Sequence, residues 1–310
     1  MSACAASASY LVRYQLLARE LDINIVPGTL CEVQPVRALT PPSDQDNDTD
    51  GVTKGNRSGK KAVQMLLSNG QPVTLANMTY WIAASTGEIS GSYQKKNLWH
   101  PERPHLTPGP AHAPHRAFDT PLTKTNADGT TSPLRAGLLI CWDLAFPEAF
   151  RALIADGADL IVVPAWWMMR DVDPTAQAIN PLSEKLFLES VTMARAFENT
   201  CAVALCNAGG VSQVAVPVQG VLPNILGTTS AEKAGPAGIE TEEMQIVELD
   251  TEVLRVAESN YKVRQDLGGP GWHYGYTLHR NREALSQAEK VEAMVGRSRR
   301  RRRERSCEGY

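Results

Sequence analysis

The sequence predicts an α/β fold in which helices and β-sheets form a layered sandwich. Segments with the pattern of strands alternate along the chain with segments whose apolar residues recur at helical spacing. Several neighbouring strands are also joined by short turns, as the strands of hairpins are. A doubly wound parallel sheet connects its strands through helices, so this mixture favours a sandwich.

Each element has its own local signal. Helices are indicated by apolar periodicity, with Pro147 suited to a helix start and Gly157 to a helix end. The predicted elements are, in order, a helix at 10–21, a short strand at 22–28, strands at 78–84 and 89–94 joined by a hairpin turn at 85–88, a hairpin turn at 126–129, a helix at 147–156, a strand at 160–163, a helix at 181–199, strands at 201–206 and 244–249, and a short helix after Asp250.

Two polar stretches are expected to lie outside the packed core, which leaves residues 1–280 as one domain. Residues 38–61 are rich in Pro, Asp, Asn, Ser and Gly and predict a flexible surface insertion. Residues 281–310 predict a disordered tail that contains an arginine run at 297–305. A nuclear-import or nucleic-acid-binding tail is the alternative, but no aromatic residue is interleaved with these arginines.

Composition is that of a globular enzyme. The 310 residues can bury a large core, and a net charge of -3 gives no general attraction to nucleic acid or membranes. No apolar run approaches the ~18 residues that span a bilayer, and residues 1–10 make a poor signal peptide. The six cysteines and six histidines have neither disulfide nor metal spacing. We expect a cytoplasmic protein without metal or cofactor.

Cys141 ends an apolar run, and a polar turn and a helix start follow it. Residues 137–151 read Gly-Leu-Leu-Ile-Cys-Trp-Asp-Leu-Ala-Phe-Pro-Glu-Ala-Phe-Arg. A thiol at a strand end faces a cleft, where backbone N–H groups can stabilise charge that develops on an attacked carbonyl or nitrile. The alternative is an ordinary buried cysteine.

A second segment, residues 87–102, contains Tyr93-x-Lys95-x-x-Leu98 and ends at Glu102. With the Cys141 segment it resembles the carbon–nitrogen hydrolase (nitrilase) superfamily. Further matching motifs lie at 157–164, 194–199, 206–210 and 210–217, so that the resemblance covers residues 10–276. It implies a four-layer α-β-β-α sandwich that hydrolyses an amide, nitrile or carbamoyl substrate through a cysteine thioester. It also implies a homodimer, through the helix that carries Glu189, Arg195 and Glu198.

The resemblance implies a role for each matching residue. Cys141 would be the nucleophile, and Lys95 with the backbone N–H of Trp142 would stabilise the oxyanion. Lys95 keeps the family spacing, whereas Lys96 would point to the opposite face of a strand. Glu102 matches an assisting glutamate. The alternatives are a surface lysine for Lys95 and a loop carboxylate paired with the neighbouring arginine for Glu102.

Two aromatic residues, Trp166 and Trp167, follow the strand after the Cys141 segment. The resemblance implies that they border the substrate pocket, and ordinary core packing is the alternative.

One part of the family pattern has no match. The general-base glutamate of the family lies in a Pro-Glu motif upstream of the predicted first helix, and residues 1–9 contain no acid. Glu32 matches a different family position, which we interpret as structural. Two hypotheses remain: a hydrolase whose fold is incomplete at its N-terminus, or an inactive family member or truncated gene product that acts as a binding or scaffold protein.

Overall fold

A first sheet forms around one long central strand. The computed structural model describes residues 2–35, 65–66, 72–111, 113–226 and 244–270, which belong to one compact unit, Met1–Pro270. The predicted insertion at 38–61 and tail at 281–310 lie outside the described residues. The strands of this sheet are β1 (Leu30–Pro35), β2 (Met65–Leu66), β3 (Pro72–Ile82) and β4 (Ile89–Gln94). All three partners of β3 are antiparallel to it, and the β3–β4 pair confirms the first predicted hairpin.

A second sheet mixes parallel and antiparallel strands. Its members are β5 (Phe118–Thr125), β6 (Thr131–Leu138), β7 (Leu160–Ala165), β8 (Ala202–Asn207), β9 (Gln213–Val216) and β10 (Gly220–Val221), in the order β10-β9-β8-β7-β6-β5. Strands β6, β7 and β8 are parallel, and the flanking pairs are antiparallel. The β5–β6 pair confirms the second predicted hairpin. The three parallel strands bring their carboxyl ends to one edge of the sheet.

Helices cover the outer face of each sheet. They are α1 (Ser2–Leu21), α2 (Pro147–Ala155), α3 (Pro174–Ile179), α4 (Ser183–Asn199), α5 (Glu252–Tyr261) and α6 (Val263–Gly268). Helix α1 packs on the first sheet, and α2 and α4 pack with the second. No helix in the described ranges is both long and apolar enough to cross a membrane.

Three apolar clusters fill the spaces between these layers. Strand β3 shows the separation, because successive side chains of a strand point to opposite faces. Tyr80 and Ile82 pack with Ala18 of α1, whereas Trp81, between them, packs with residues of the second sheet such as Leu138. The third cluster contains Phe150 and lies between the second sheet and helices α2 and α4. The predicted four-layer α-β-β-α order is confirmed.

Two predicted strands are wrong. Residues 22–28 form only an isolated bridge, in which Ile25 and Ile82 exchange two backbone hydrogen bonds of 2.9 Å. Residues 244–249 form no strand. There the N–H of Ile246 donates to the side-chain Oδ1 of Asn224 at 3.0 Å, and its carbonyl accepts from Ile225 at 2.8 Å. The N–H of Ile246 is therefore paired with a side chain and not with a neighbouring strand, as a β-ladder requires. The apolar residues of this segment consequently do not extend the sheet.

Candidate active site

Cys141 occupies a sharp turn directly beyond β6. It begins a short 3-10 helix, Cys141–Ala145, and its φ of 48° places it in the left-handed region that non-glycine residues seldom adopt. Such strained positions persist where the surrounding structure fixes them, and they cluster at functional sites. The side chain is half-buried, so the thiol is held in a defined direction while it stays accessible.

Lys95 and Glu102 form a close ion pair in the segment that follows β4. The side chain of Lys95 is 1% exposed, and its Nζ lies 2.6 Å from Oε2 of Glu102. The same Oε2 accepts the backbone N–H of Trp99 at 2.7 Å. This geometry contradicts both alternatives, since Lys95 is not at the surface and Arg103 instead donates to the Leu98 carbonyl at 3.2 Å.

The two neighbouring lysines have different surroundings. Lys96 donates from Nζ to the backbone carbonyl of Ala113, and it is partly exposed. Of the two, only Lys95 is among the charges that act on Cys141. The sequence preference for Lys95 therefore agrees with the geometry.

The charge state of Cys141 depends on opposing influences. Burial is the largest and raises the pKa of the thiol above its ordinary value. The Lys95 ammonium and the backbone N–H groups of Trp166 and Trp142 lower this pKa, while the Glu102 carboxylate raises it. The net direction is upward, so the thiol is the prevailing form at neutral pH. A base is needed to generate the nucleophilic thiolate.

Asp143 ties the Cys141 turn to the Lys95 segment. Its fully buried carboxylate accepts four hydrogen bonds, from the Tyr93 hydroxyl at 3.0 Å, the backbone and side-chain nitrogens of Asn97 at 3.0 and 2.8 Å, and the Ile140 N–H at 3.0 Å. Burial raises the pKa of Asp143, and these bonds lower it. One side chain thus fixes the Cys141 turn and the Lys95 segment relative to each other.

A cavity of about 380 Å³ opens beside Cys141. Its lining consists of Trp99, Pro101, Glu102, Cys141, Trp142, Trp166, Trp167, Met168 and Asp171. All three tryptophans named from the sequence therefore line the cavity. Trp167 also packs into the core at 5% exposure, whereas Trp166 is 71% exposed at the surface. That this cavity is the substrate pocket stays a prediction.

The Trp167 backbone is held by a residue distant in sequence. Oδ1 of Asn207 accepts the Trp167 N–H at 2.8 Å, and Nδ2 of Asn207 donates to the Trp167 carbonyl at 2.8 Å. The turn after Asn207 also lies close, because a Cβ on Gly209 would fall 2.1 Å from that carbonyl oxygen. This contact fixes the loop that presents the Trp166 N–H to Cys141.

Sequence reasoning missed Trp99, Pro101, Met168 and Asp171 as lining residues. The proximity of Trp99 to the Lys95 motif was a usable signal, since it lies four residues downstream. Glu32 lies elsewhere: its Oε1 accepts the Tyr80 hydroxyl at 2.5 Å within the first sheet. It is not among the lining residues, which agrees with a structural role.

A family model described as carbon–nitrogen hydrolase matches residues 62–256. Among curated proteins, the probable nitrilase of Schizosaccharomyces pombe is 34% identical over 127 residues, covering 41% of this chain and 37% of that protein. An (R)-stereoselective amidase of Pseudomonas is 28% identical over 181 residues, covering 57% of this chain and 54% of that one. The chain therefore spans about two fifths to half the length of these relatives.

A solved structure shows the same fold. The carbon–nitrogen hydrolase from Helicobacter pylori G27 has a TM-score of 0.58 at 15% identity, covering 90% of this chain and 78% of that chain. The likeness concerns the arrangement of the two sheets and their helices, which is the layered sandwich described above.

Proposed function

The chain belongs to the carbon–nitrogen hydrolase family, and from that membership we propose that it hydrolyses a non-peptide C–N bond through a thioester on Cys141. One observation carries the proposal: Cys141 shares a cavity with Glu102, whose carboxylate is bonded to the buried Lys95. Nucleophile, cation and carboxylate are the three groups that acyl transfer from an amide requires. The substrate is a small amide, nitrile or carbamoyl compound, and no cofactor takes part.

The first half of the reaction forms the thioester. We assign proton acceptance to Glu102, because its Oε1 accepts no hydrogen bond from the described residues while Lys95 and Trp99 hold Oε2. The thiolate attacks the carbonyl carbon, and Lys95 Nζ with the Trp142 N–H stabilises the resulting oxyanion. Glu102 returns the proton to the nitrogen, so that ammonia or an amine leaves.

The second half regenerates the thiol. Water attacks the thioester carbon as Glu102 takes one of its protons, and the same two donors stabilise the second oxyanion. The C–S bond then breaks, the sulfur recovers a proton from Glu102, and a carboxylic acid is released.

The test is hydrolysis by the purified full chain. Ammonia release is measured with a panel of small amides, nitriles and carbamoyl compounds, and hydroxylamine is added to trap the thioester as a hydroxamate. We expect both products, and we expect Cys141→Ala to abolish them while Cys206→Ala, which removes another accessible thiol, retains them. Activity that survives in Cys141→Ala would refute the mechanism.

A second candidate is binding without turnover, as an inactive family member or scaffold. The observation in its favour is the raised pKa of Cys141, with Glu102 already engaged by Lys95. It predicts that the chain and its Cys141→Ala variant bind an amide equally and that neither releases ammonia. Ammonia release by the unmodified chain, lost in the variant, would exclude it.

A homodimer through α4 is the further proposal. Leu182 and Leu186, at the start of this helix, are 51% and 58% exposed, which is costly for large apolar side chains in a monomer. Arg195 instead serves within the chain, donating to Glu198 at 2.9 Å and to the Leu144 carbonyl at 3.3 Å. Sedimentation velocity should give a dimer that Leu186→Glu dissociates; a monomeric unmodified chain would contradict the proposal.

The cytoplasmic location stays a prediction.

A further inference from the structure

Three mutually inclined indole rings line the cavity and form an aromatic wall. The ring centroids of Trp99 and Trp142 are 4.5 Å apart at 67°, and those of Trp142 and Trp167 are 5.2 Å apart at 48°. Trp99 and Trp167 are 6.4 Å apart at 35°. Rings inclined in this way cannot all stack on one flat group. Inclined ring faces suit a compact group that touches several of them at once.

The charged residues among those that line the cavity are two acids, Glu102 and Asp171. Among the residues that the structure describes, no Lys, Arg or His lines it. Glu102 is neutralised by Lys95 at 2.6 Å, which leaves the Asp171 carboxylate as the remaining charge of the wall. No salt bridge to Asp171 occurs among the residues that the structure describes, and its side chain is exposed at the cavity.

The position of Asp171 is fixed by a tight turn. Its Oδ2 accepts the Met168 N–H at 2.8 Å, and its own N–H donates to the Met168 carbonyl at 3.1 Å. The carboxylate therefore stays beside the aromatic wall and keeps hydrogen-bonding capacity for a ligand.

The buried Glu184 carboxylate increases the attraction of the Trp167 ring for cations. The indole N–H of Trp167 donates to Oε2 of Glu184, which is 8% exposed. An anion that accepts from an indole N–H pushes electron density toward the ring, in the way that linked hydrogen bonds polarise one another. The Trp167 face consequently becomes more negative, and the attraction of an indole face for cations rises.

We propose that the substrate of this site carries a cationic ammonium group, held against the tryptophan wall by Asp171, at the end remote from the bond that is cleaved. The proposal rests on the hydrolytic function proposed above and names its substrate class. An anionic group at the tryptophan wall would meet Asp171 without a compensating cation among the described lining residues, since Lys95 is paired with Glu102 near Cys141. A neutral apolar group would fill the wall but leave this carboxylate without a partner. Aromatic faces with an adjacent carboxylate are the general means by which proteins hold quaternary ammonium groups.

Binding is tested first, because it requires no turnover. Choline and its neutral isostere 3,3-dimethylbutan-1-ol are titrated into the full chain, following tryptophan fluorescence and the protection of Cys141 from iodoacetamide. We expect choline to bind about tenfold more tightly, a ratio that corresponds to ~1.4 kcal/mol and lies within the range of desolvated cation–π contacts. Equal binding of the two probes, or tighter binding of the neutral one, would overturn the proposal.

A matched pair of variants assigns the preference to Asp171. Asp171→Asn keeps an acceptor for the Met168 N–H but removes the charge, and should reduce the choline preference about threefold or more. Asp173→Asn is the control: Asp173 lies two residues on, outside the lining, and caps α3 through the Ala176 N–H, a role that asparagine also fills. An equal loss in both variants, or none in Asp171→Asn, would refute the assignment.

Turnover then separates the two proposals. The substrates are 4-(trimethylammonio)butanamide and its neutral isostere 5,5-dimethylhexanamide, assayed by ammonia release. Faster hydrolysis of the cationic amide supports both proposals. Equal hydrolysis of the two keeps the hydrolase and overturns the cationic substrate class. Tight choline binding without any ammonia release keeps the ligand class and refutes the hydrolase.

Discussion

Replacing Lys95 by methionine removes the cation of the buried ion pair while it preserves most of the side-chain volume. Lys95 is 1% exposed, and its partner Glu102 is 25% exposed at 2.6 Å. The substitution leaves the carboxylate with only the Trp99 N–H as a described donor. The energetic cost comes from this uncompensated charge more than from any lost packing.

The size of the loss follows from that burial. Removing one partner of a buried ion pair costs about 3–5 kcal/mol. Because water still reaches part of Glu102, we expect the lower end, ~3 kcal/mol, which corresponds to a fall of roughly 6–12 °C in Tm. The double variant Lys95→Met, Glu102→Gln removes both charges and should be more stable than the single one by ~1–2 kcal/mol.

The assay is urea unfolding followed by far-UV circular dichroism, with the midpoint and slope compared across variants. The matched control is Lys96→Met, which loses one hydrogen bond to a backbone carbonyl and should cost ~1 kcal/mol. Lys95→Met should also lower hydrolysis about 100-fold or more, as loss of an oxyanion donor does, and Lys96→Met should retain most of it. A cost for Lys95→Met no larger than the control, or a double variant less stable than the single, would refute the reasoning.

Three further predictions concern thiols and the Cys141 turn. A mild electrophile should label Cys141 before Cys31, Cys201 or Cys206, as followed by peptide mass spectrometry; equal labelling of all four would mean that no preformed site exists. Burial raises the pKa of Cys201 to about 12, so the native state binds more protons than the unfolded chain above pH ~9 and stability falls as pH rises from there toward 12. Cys201→Ala should flatten this alkaline loss in urea melts, while Cys206→Ala, at an exposed site, should not. Asp143→Ala leaves four donors without their acceptor, the buried Ile140 N–H among them, and should cost about 2–4 kcal/mol, with loss of selective Cys141 labelling; unchanged labelling would show that the turn holds without it.

The residues proposed for the chemistry could be named from the sequence because they lie in short motifs that resemble those of the family. Cys141 ends a short apolar run, residues 138–140, and a polar turn follows it, which identifies the turn without knowledge of the rest of the fold. The sequence favours Lys95 over Lys96 because it keeps the family spacing and because side chains alternate across a strand. The burial of Lys95 agrees with the choice, but both lysines lie just beyond the end of β4, so strand alternation is not the reason for that burial. Glu102 is only seven residues from its partner.

The remainder of the site depends on contacts between distant segments. The Trp167 loop is shaped by Asn207, 40 residues away, and no pattern within the loop itself reveals that contact. Asp171 becomes a lining residue only because this loop turns back on itself. The wrong strand at 244–249 has the same origin, since apolar residues make a strand only where a neighbouring strand accepts their backbone bonds.

The connectivity of the second sheet explains why so few residues hold this site. Strands β6, β7 and β8 are parallel, so the segments that leave their carboxyl ends converge, as ligand-binding segments do in other open α/β sheets. Those segments carry Cys141, the Trp166 N–H and Asn207. Two buried polar side chains, Asp143 and Asn207, then lock the converging turns by hydrogen bonds to backbone as well as side-chain groups. The strain at Cys141 is sustained by the same bonds, so its labelling selectivity should respond to changes at Asp143 or Asn207 even though neither side chain lines the cavity.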